Sequence, residues 1–240
     1  FALTEPGAGS DIMSMKTRAI AVGYDYVING SKHFISSAGE PDFAILFAAT
    51  GVDETPRGER KRVTAFLVDR DTKGFDMRRG PRCASQRAYH TYQLSFDDCR
   101  IGANQILGEE GKGLKLADKW LRMGRIWVAA GCCGKMERLL GLAADWAATR
   151  KQFGKPIGQF QGTSFKLADM ATELRAADLM VMNAANKADQ GIMEPEDAAM
   201  AKLFASEALG RGEVQRFDEA ALPGKYRKIT GNEALAIGLV

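Results

Sequence analysis

Long apolar runs are missing from this chain. The longest, such as Phe43 to Ala49, fall far short of the roughly 20 residues that a membrane-spanning helix needs, so no transmembrane helix is expected. A surplus of one charge is missing too: 33 Lys and Arg stand against 30 Asp and Glu, a formal +3. The charges are mixed along the sequence with no acidic or basic tail, which argues against a nucleic-acid footprint. Cysteine is sparse and unpaired. Cys83, Cys99, Cys132 and Cys133 show no CxxC spacing, and adjacent Cys132 and Cys133 point different ways on a helix. Neither a zinc cage nor a disulfide framework is signalled, so no metal is expected and the thiols read as buried and free, in a reducing compartment. The two histidines, His33 and His90, lack triad spacing and read as strand or loop hydrogen-bonders.

What remains is an ordinary globular composition. Of 240 residues, 45% are hydrophobic and 26% charged, enough to bury one large core or two modest ones. From Phe1 to about Ile101 the chain is rich in short β-type runs between turn residues: Lys16 to Val22, Tyr24 to Ile28, Phe43 to Ala49, Arg62 to Val68 and Thr91 to Phe96. Every second residue of the last run suits a core, and Gly51 to Lys61 reads as a polar, exposed hairpin excursion. After Gly113 the period becomes helical. One helix is expected from about Leu114 to Thr149, ending before the Pro156 and Gly158 pair. A second carries an apolar stripe of Leu167, Met170, Ala171, Leu174, Ala177 and Val181. A third opens near Pro195, with Glu196 and Asp197 complementing the helix dipole, and runs to about Leu209. Its small face of Ala198, Ala199, Ala201, Ala205 and Ala208 permits close helix approach.

Four ordered motifs carry chemistry. Thr4 to Asp11 reads TEPGAGSD, a glycine-rich turn with hydroxyls at Thr4 and Ser10 and with Gly7 and Gly9 leaving backbone N–H groups open to an anion. On its own it fits a cofactor-pyrophosphate cradle and a tight surface turn equally. Asn29 to Ala38 reads NGSKHFISSA, Leu107 to Gly113 reads LGEEGKG, and Arg150 to Gln161 reads RKQFGKPIGQFQ. Together, and in this order, they resemble the acyl-CoA dehydrogenase family over roughly Phe1 to Arg211.

The resemblance implies an α+β fold: a middle antiparallel β domain (1–103) followed by an incomplete up-down helical bundle (104–211), with the family's N-terminal helical domain missing and a divergent tail (212–240). It implies FAD as cofactor and α,β-dehydrogenation of an acyl-CoA thioester, in which a carboxylate takes the α proton and the β hydrogen leaves as hydride. FAD contacts fall by resemblance on Phe1, Leu3, Thr4, Gly9, Ser10, Phe34 and Ser36. The family usually has Trp and Thr at the last two, so a smaller ring would lie against the flavin here. Arg150, Gln152, Phe153 and Gln161 resemble the residues that reach the FAD of a neighbouring subunit, Arg150 at the pyrophosphate, which implies a homodimer or homotetramer. Ser10, Gly124 and Arg125 are the substrate-side candidates, and Ala84 and Ser85 lie near a family ligand-contact serine. An acyl-CoA substrate and an electron-transfer flavoprotein or similar acceptor are the implied partners, with no nucleic acid and no membrane span.

No catalytic base is assigned. Gly124 stands where one branch of the family carries its glutamate, and the EGT element and GG-containing loop of the larger branch do not occur before Val240. Glu109, Glu110 and Glu137 read as surface or salt-bridged acids. A truncated chain is therefore expected. An acyl-CoA oxidase-like flavoprotein and a catalytically silent FAD or acyl-CoA-binding scaffold are the alternatives. The segment LPGKYRKITGNEALAIGLV at the end, with its turn at Gly231, Asn232 and Glu233, faintly resembles 2-oxoacid:ferredoxin oxidoreductase alpha subunits. The chain opens at Phe1 without an initiator methionine, so any targeting peptide would stand upstream; the cytoplasm, or the mitochondrial matrix in a eukaryote, is the expected location.

Overall fold

The computed structural model describes residues 1–36, 41–56, 58–81 and 90–217, with side chains described to 211. Cys83, Ala84, Ser85 and the tail motif at Gly231 lie outside the described residues. Among the described residues two compact units emerge, Phe1 to Lys119 and Trp120 to residue 217.

In the first unit six strands form one sheet: β1 (Arg18–Val22), β2 (Asp25–Ser36), β3 (Phe43–Thr55), β4 (Gly58–Asp69), β5 (Phe75–Arg79) and β6 (Thr91–Gly102). The spatial order is β4-β3-β1-β2-β6-β5. All neighbours are antiparallel except β1 and β3, which meet in parallel at the single pair Arg18 and Ala49. The expected antiparallel domain is thus a mixed sheet with one parallel seam.

Apolar layers cover both faces. Ala44, Leu46, Phe66, Val68, Ile28, Leu94 and Phe96 belong to one buried cluster, while Phe47, Val63, Ala65, Met15 and Ala117 belong to another. Phe43 to Ala49 reads as an unbroken apolar run because β3 is buried on alternate sides by two different cores. On β6 the buried positions change parity, from Leu94 and Phe96 to Cys99 and Ile101. An irregularity between the pairs Ile28–Cys99 and Gly30–Phe96 sets Asn29 against two residues, Asp97 and Asp98. Asn29 Nδ2 donates to Asp98 Oδ1 at 2.9 Å, and the Asp98 N–H donates back to Asn29 Oδ1 at 2.9 Å. The extra residue keeps both halves of the strand facing the same core.

Gly51 to Lys61 forms the expected exposed hairpin, β3 and β4 staying paired to Thr55 and Gly58 with charged residues on both faces. One segment differs from expectation. β5, with only half-buried or exposed positions along Phe75–Arg79, carries too weak an apolar pattern to be read as a strand.

The turn after β6 seals the exposed edge of β4. Leu107 N–H donates to Ala65 O at 2.8 Å, Gly111 N–H to Thr64 Oγ1 at 2.9 Å, and Tyr26 Oη to Glu110 Oε2 at 3.1 Å. At Gly113 a Cβ would lie 2.8 Å from Ala65 N and 2.8 Å from Thr64 C, so only glycine lets the chain cross the β4 backbone here.

Helix α1 (Gly113–Thr149) begins there, and α2 (Gln161–Asp189) and α3 (Pro195–Phe217) follow. In the second unit Ile126, Ala129, Cys132, Cys133, Met136 and Leu139 of α1 share one core with Ala177, Val181 and Ala184 of α2 and Ala198, Ala201, Ala205 and Ala208 of α3. The alanine face permits the close approach, although Ala199 is exposed, as is Ala171 on α2. α3 runs to Phe217, past the expected end at Leu209. Cys132 and Cys133 are both buried despite their different directions, and neither they nor the buried Cys99 form a disulfide among the described residues. Burial, then the Asp178 carboxylate, push the Cys133 thiol up to about 12, and burial pushes Cys99 up to about 11, so these thiols are inert as nucleophiles.

Gly113→Ala should lower stability by about 1–3 kcal/mol, the usual cost of overpacking. A reduced urea midpoint with unchanged slope checks this; an unchanged midpoint would mean that β4 yields freely.

Candidate functional site

The N-terminal run is laid across the sheet by its own backbone. Ala2 N–H donates to Ile45 O at 2.7 Å, Phe47 N–H to Ala2 O at 3.1 Å, and His33 N–H to Thr4 O at 2.9 Å. Glu5 and Ala8 then exchange backbone hydrogen bonds at 2.9 and 3.2 Å, closing the turn.

Under that turn lies an ion pair that the motif letters alone did not reveal. Lys32 Nζ donates to Glu5 Oε1 at 2.9 Å and to Leu3 O at 3.0 Å, with the two side chains 0% and 5% exposed. Glu5 also accepts from the backbone N–H of Lys16 at 2.6 Å and of Thr17 at 3.1 Å. Burial alone would push the Glu5 carboxyl up, but these donors outweigh it and hold it below its ordinary value of 4.5. Burial lowers Lys32, with Glu5 opposing in part. The carboxylate is thereby surrounded by donors, and the ammonium is tied to the backbone of the motif itself.

Just beyond Lys32 the strand bulges. Lys32 pairs with Leu94 and Ile35 with Tyr92, leaving His33 and Phe34 against Gln93 alone. Phe34 takes φ 56°, a left-handed conformation that costs a bulky residue about 1–3 kcal/mol. Its ring is 55% exposed and meets the His33 ring edge at 3.9 Å between centroids. His33 Nδ1 is the one buried side-chain polar atom without a hydrogen-bond partner among the described residues. Strain and an unsatisfied group both gather at this edge, as at sites where geometry is kept for a ligand.

The structure brings together, in the first unit, Thr4 beside His33 and Phe34, with the Phe1 ring tilted against Phe47 at 4.8 Å between centroids, Leu3 buried, and Ser36 paired to Thr91. Gly9 and Ser10 are exposed in the turn. Neither Gly7 nor Gly9 takes a left-handed φ, and a Cβ at either would meet nothing within 4 Å. Their smallness leaves space over the backbone and is not demanded by the turn. An uncovered ring, open backbone N–H groups and nearby hydroxyls suit a flat, phosphorylated cofactor such as FAD.

The remaining candidates belong to the second unit. Gly124 and Arg125 are half-buried on α1. Arg150 follows α1, its N–H donating to Trp146 O at 2.8 Å and its carbonyl accepting from Ile157 at 2.8 Å. Its side chain is exposed and without an acidic partner among the described residues. Lys151–Gln152 (β7) and Lys155–Pro156 (β8) form a small hairpin whose tip, Phe153 at φ 49° and Gly154 at φ 78°, is the tight turn that two left-handed residues make. Phe153 is 93% exposed, Lys155 Nζ lies 4.5 Å from the Phe160 ring centroid, and Gln161 opens α2 exposed. Glu109 and Glu137 are exposed and Glu110 is engaged by Tyr26. His90 is exposed beside Arg79. No group of acids, histidines and cysteines able to hold a metal occurs among the described residues, nor is any described helix long and apolar enough to cross a membrane.

Residues 1–99 match the acyl-CoA dehydrogenase middle domain, and 111–212 the acyl-CoA dehydrogenase C-terminal domain. An acyl-CoA dehydrogenase of Bacillus subtilis is 42% identical over 208 residues, 87% of this chain and 54% of the relative. The caffeyl-CoA reductase-Etf complex subunit CarC of Acetobacterium woodii is 40% identical over 207 residues, 86% of this chain and 54% of its own length. The structure of butyryl-CoA dehydrogenase from Megasphaera elsdenii superposes with a TM-score of 0.83 at 36% identity, covering 99% of this chain and 61% of that one. The chain spans about half the length of the curated relatives it matches.

Two outcomes test the site. Phe34→Gly should leave the melting temperature unchanged or raised, since the left-handed strain is relieved, while FAD affinity falls; a lowered melting temperature would show the bulge to be unstrained. The Glu5 contribution to stability is complete above its unfolded value of 4.5 and is lost as pH falls through the lower folded value, because the unfolded chain takes the proton first. Melting temperatures of the parent chain and Glu5→Gln should therefore converge as pH falls below that folded value, and parallel curves would contradict the pairing.

Proposed function

This chain belongs to the acyl-CoA dehydrogenase family, and from that premise we propose that it supplies the flavin-facing edge of an FAD-dependent α,β-dehydrogenation of acyl-CoA thioesters. The observation that carries the reading is the Phe34 bulge, exposed and strained, beside the TEPGAGSD turn. FAD, when bound, supplies the hydride acceptor. The protein's part is to hold and orient it. Phe34 offers a ring face to the isoalloxazine, Thr4 and Ser36 offer hydroxyls at its edge, where a donor stabilises charge that develops on reduction, and Phe1, Leu3, Gly9 and Ser10 line the same run. Ser10, Gly124 and Arg125 take the substrate side.

Arg150 with Gln152, Phe153 and Gln161 serves the cofactor of a neighbouring subunit in a homodimer or homotetramer. What supports this is the hairpin that follows Arg150, with Phe153 93% exposed at its tip and the Arg150 guanidinium exposed and without an acidic partner among the described residues. An electron-transfer flavoprotein is the proposed electron acceptor, a reading favoured by the relative whose name places it in an Etf complex. Cys99, Cys132 and Cys133, buried and in no disulfide among the described residues, favour a reducing compartment, the cytoplasm or mitochondrial matrix.

The test is an anaerobic titration of the FAD-loaded chain with acyl-CoAs of several chain lengths. Loss of the oxidised-flavin band with one of them is the expected result; bound flavin that no acyl-CoA bleaches would overturn dehydrogenation by this chain. Arg150→Ala should weaken FAD retention about tenfold or more, the loss of one charge-assisted contact, with an unchanged circular-dichroism spectrum. Unchanged retention would exclude the cross-subunit role.

A further inference from the structure

Immediately after the TEPGAGSD turn, the sheet opens. β1 and β3 pair only at Arg18 and Ala49, where the Ala49 N–H donates to Thr17 O at 3.0 Å. The β3–β4 register then shifts between Ala49 and Gly51, and the extra residue, Thr50, bonds back to β4 through Arg62 O at 3.3 Å and Thr64 Oγ1 at 2.9 Å. A bulge bends its strand, so past it β3 leaves β1 and a groove of about 530 Å³ lies between them.

Backbone groups are left over along this groove. β1 and β2 turn through Gly23, at φ 65°, and Tyr24, and a hairpin with a two-residue loop makes the flanking Val22 and Asp25 a hydrogen-bonded pair. Alternation then sends the N–H and C=O of Ala21 away from β2 and toward the groove, where β3 gives Ile20, Ala21 and Val22 no ladder partner. An open edge of this kind accepts a further strand.

The side chains select which strand. Cations gather at the head of the groove, where Lys16, Arg18 and Lys61 line it and no acidic residue does. Lys61 is held there, its Nζ donating to Met15 O at 2.5 Å, and still has donors to spare. Lys16 and Arg18 are exposed and form no ion pair among the described residues. The nearest acid on β3, Asp53, is already engaged by Arg62, whose Nε donates to it at 3.0 Å. Farther along the two strands the surface turns apolar, with Ile20 55%, Val22 45% and Val52 53% exposed. Cations beside an open edge repel a second copy of that edge, a common guard against self-pairing, and they attract acids.

We infer that this groove is a docking site for an acidic, extended peptide segment of a partner protein. The segment adds to β1 as a strand, sets its acidic end against Lys16, Arg18 and Lys61, and lays β-branched residues beside Ile20, Val22 and Val52. Backbone pairing supplies affinity, and the cations at one end fix register and direction. The site is independent of the flavin and acyl-CoA reading above.

The experiment measures fluorescence anisotropy of two end-capped, labelled peptides with the full chain, Glu-Glu-Thr-Val-Thr-Val and the same residues in reverse order. A counterpart with Lys-Lys for Glu-Glu and a copy with every interior amide N-methylated serve as comparisons. The expected result is that one order binds saturably, at least tenfold more tightly than both comparisons, and that Arg18→Glu weakens it tenfold or more with FAD retention unchanged. Ala21→Pro removes the free donor and no β1–β2 hydrogen bond, as an edge position allows, and should weaken the peptide similarly with the parent's circular-dichroism spectrum. If that variant fails to fold, the N-methylated copy decides the same question without altering the protein. Equal binding of the N-methylated copy would overturn strand addition, leaving charge attraction alone. Equal binding of the Lys-Lys counterpart, or no effect of Arg18→Glu, would overturn the groove as the acid-selecting site, and no saturable binding of either order would overturn the docking site itself.

Discussion

The buried pair of Glu5 and Lys32 is the constraint on which this site depends. A carboxylate and an ammonium, each withdrawn from water, gain little net stability from one another, because desolvation consumes most of their attraction. What the pair does fix is place. Lys32 reaches Leu3 O as well as Glu5, and Glu5 gathers the N–H groups of Lys16 and Thr17. Three stretches of chain, the turn, the entry to β1 and the middle of β2, therefore meet at one point. Any slip of one relative to another would strand a charge in the core.

From that point the irregularities of the sheet become intelligible. A strand pinned at Lys32 and paired again at Ile35 must absorb one extra residue between them, and it does so by turning Phe34 out. Thr50 does the same for β3 and parts it from β1; Asp98 does the same for β6 and keeps its core face intact. Bulges re-aim side chains at a cost, and here the cost falls where a ring, a groove or a change of facing is needed. The sheet cores on both faces are what hold those distortions.

Much of this was legible in the sequence, and the failures are instructive. Strands with a buried side, β3, β4 and β6, announced themselves by apolar runs, and the helical stripe of α2 by its spacing. The charged stretch Gly51 to Lys61 was readable as an exposed hairpin by its polarity, although neither of its faces is covered and no alternation marks it. β5 was not readable, since it lies at an edge and none of its positions is fully buried. The four motifs pointed to Thr4, Phe34 and Arg150 as chemistry-bearing positions. They were silent about the link between Glu5 and Lys32, since 27 residues separate the partners and a single Glu or Lys carries no periodic signal. The parity change between Leu94 and Cys99 was the one visible trace of a bulge, readable as a skipped beat in the alternation.

The measurement that bears most directly on this account is the FAD dissociation constant of the double variant Glu5→Gln, Lys32→Met. Both charges are removed together, so no unpaired ion is left in the core and the fold should keep most of its stability. The account predicts that the double variant melts within a few degrees of the parent yet binds FAD at least tenfold more weakly, because the edge formed by Thr4 and Phe34 has lost its register. FAD affinity equal to that of the parent, in a variant equally folded, would contradict it.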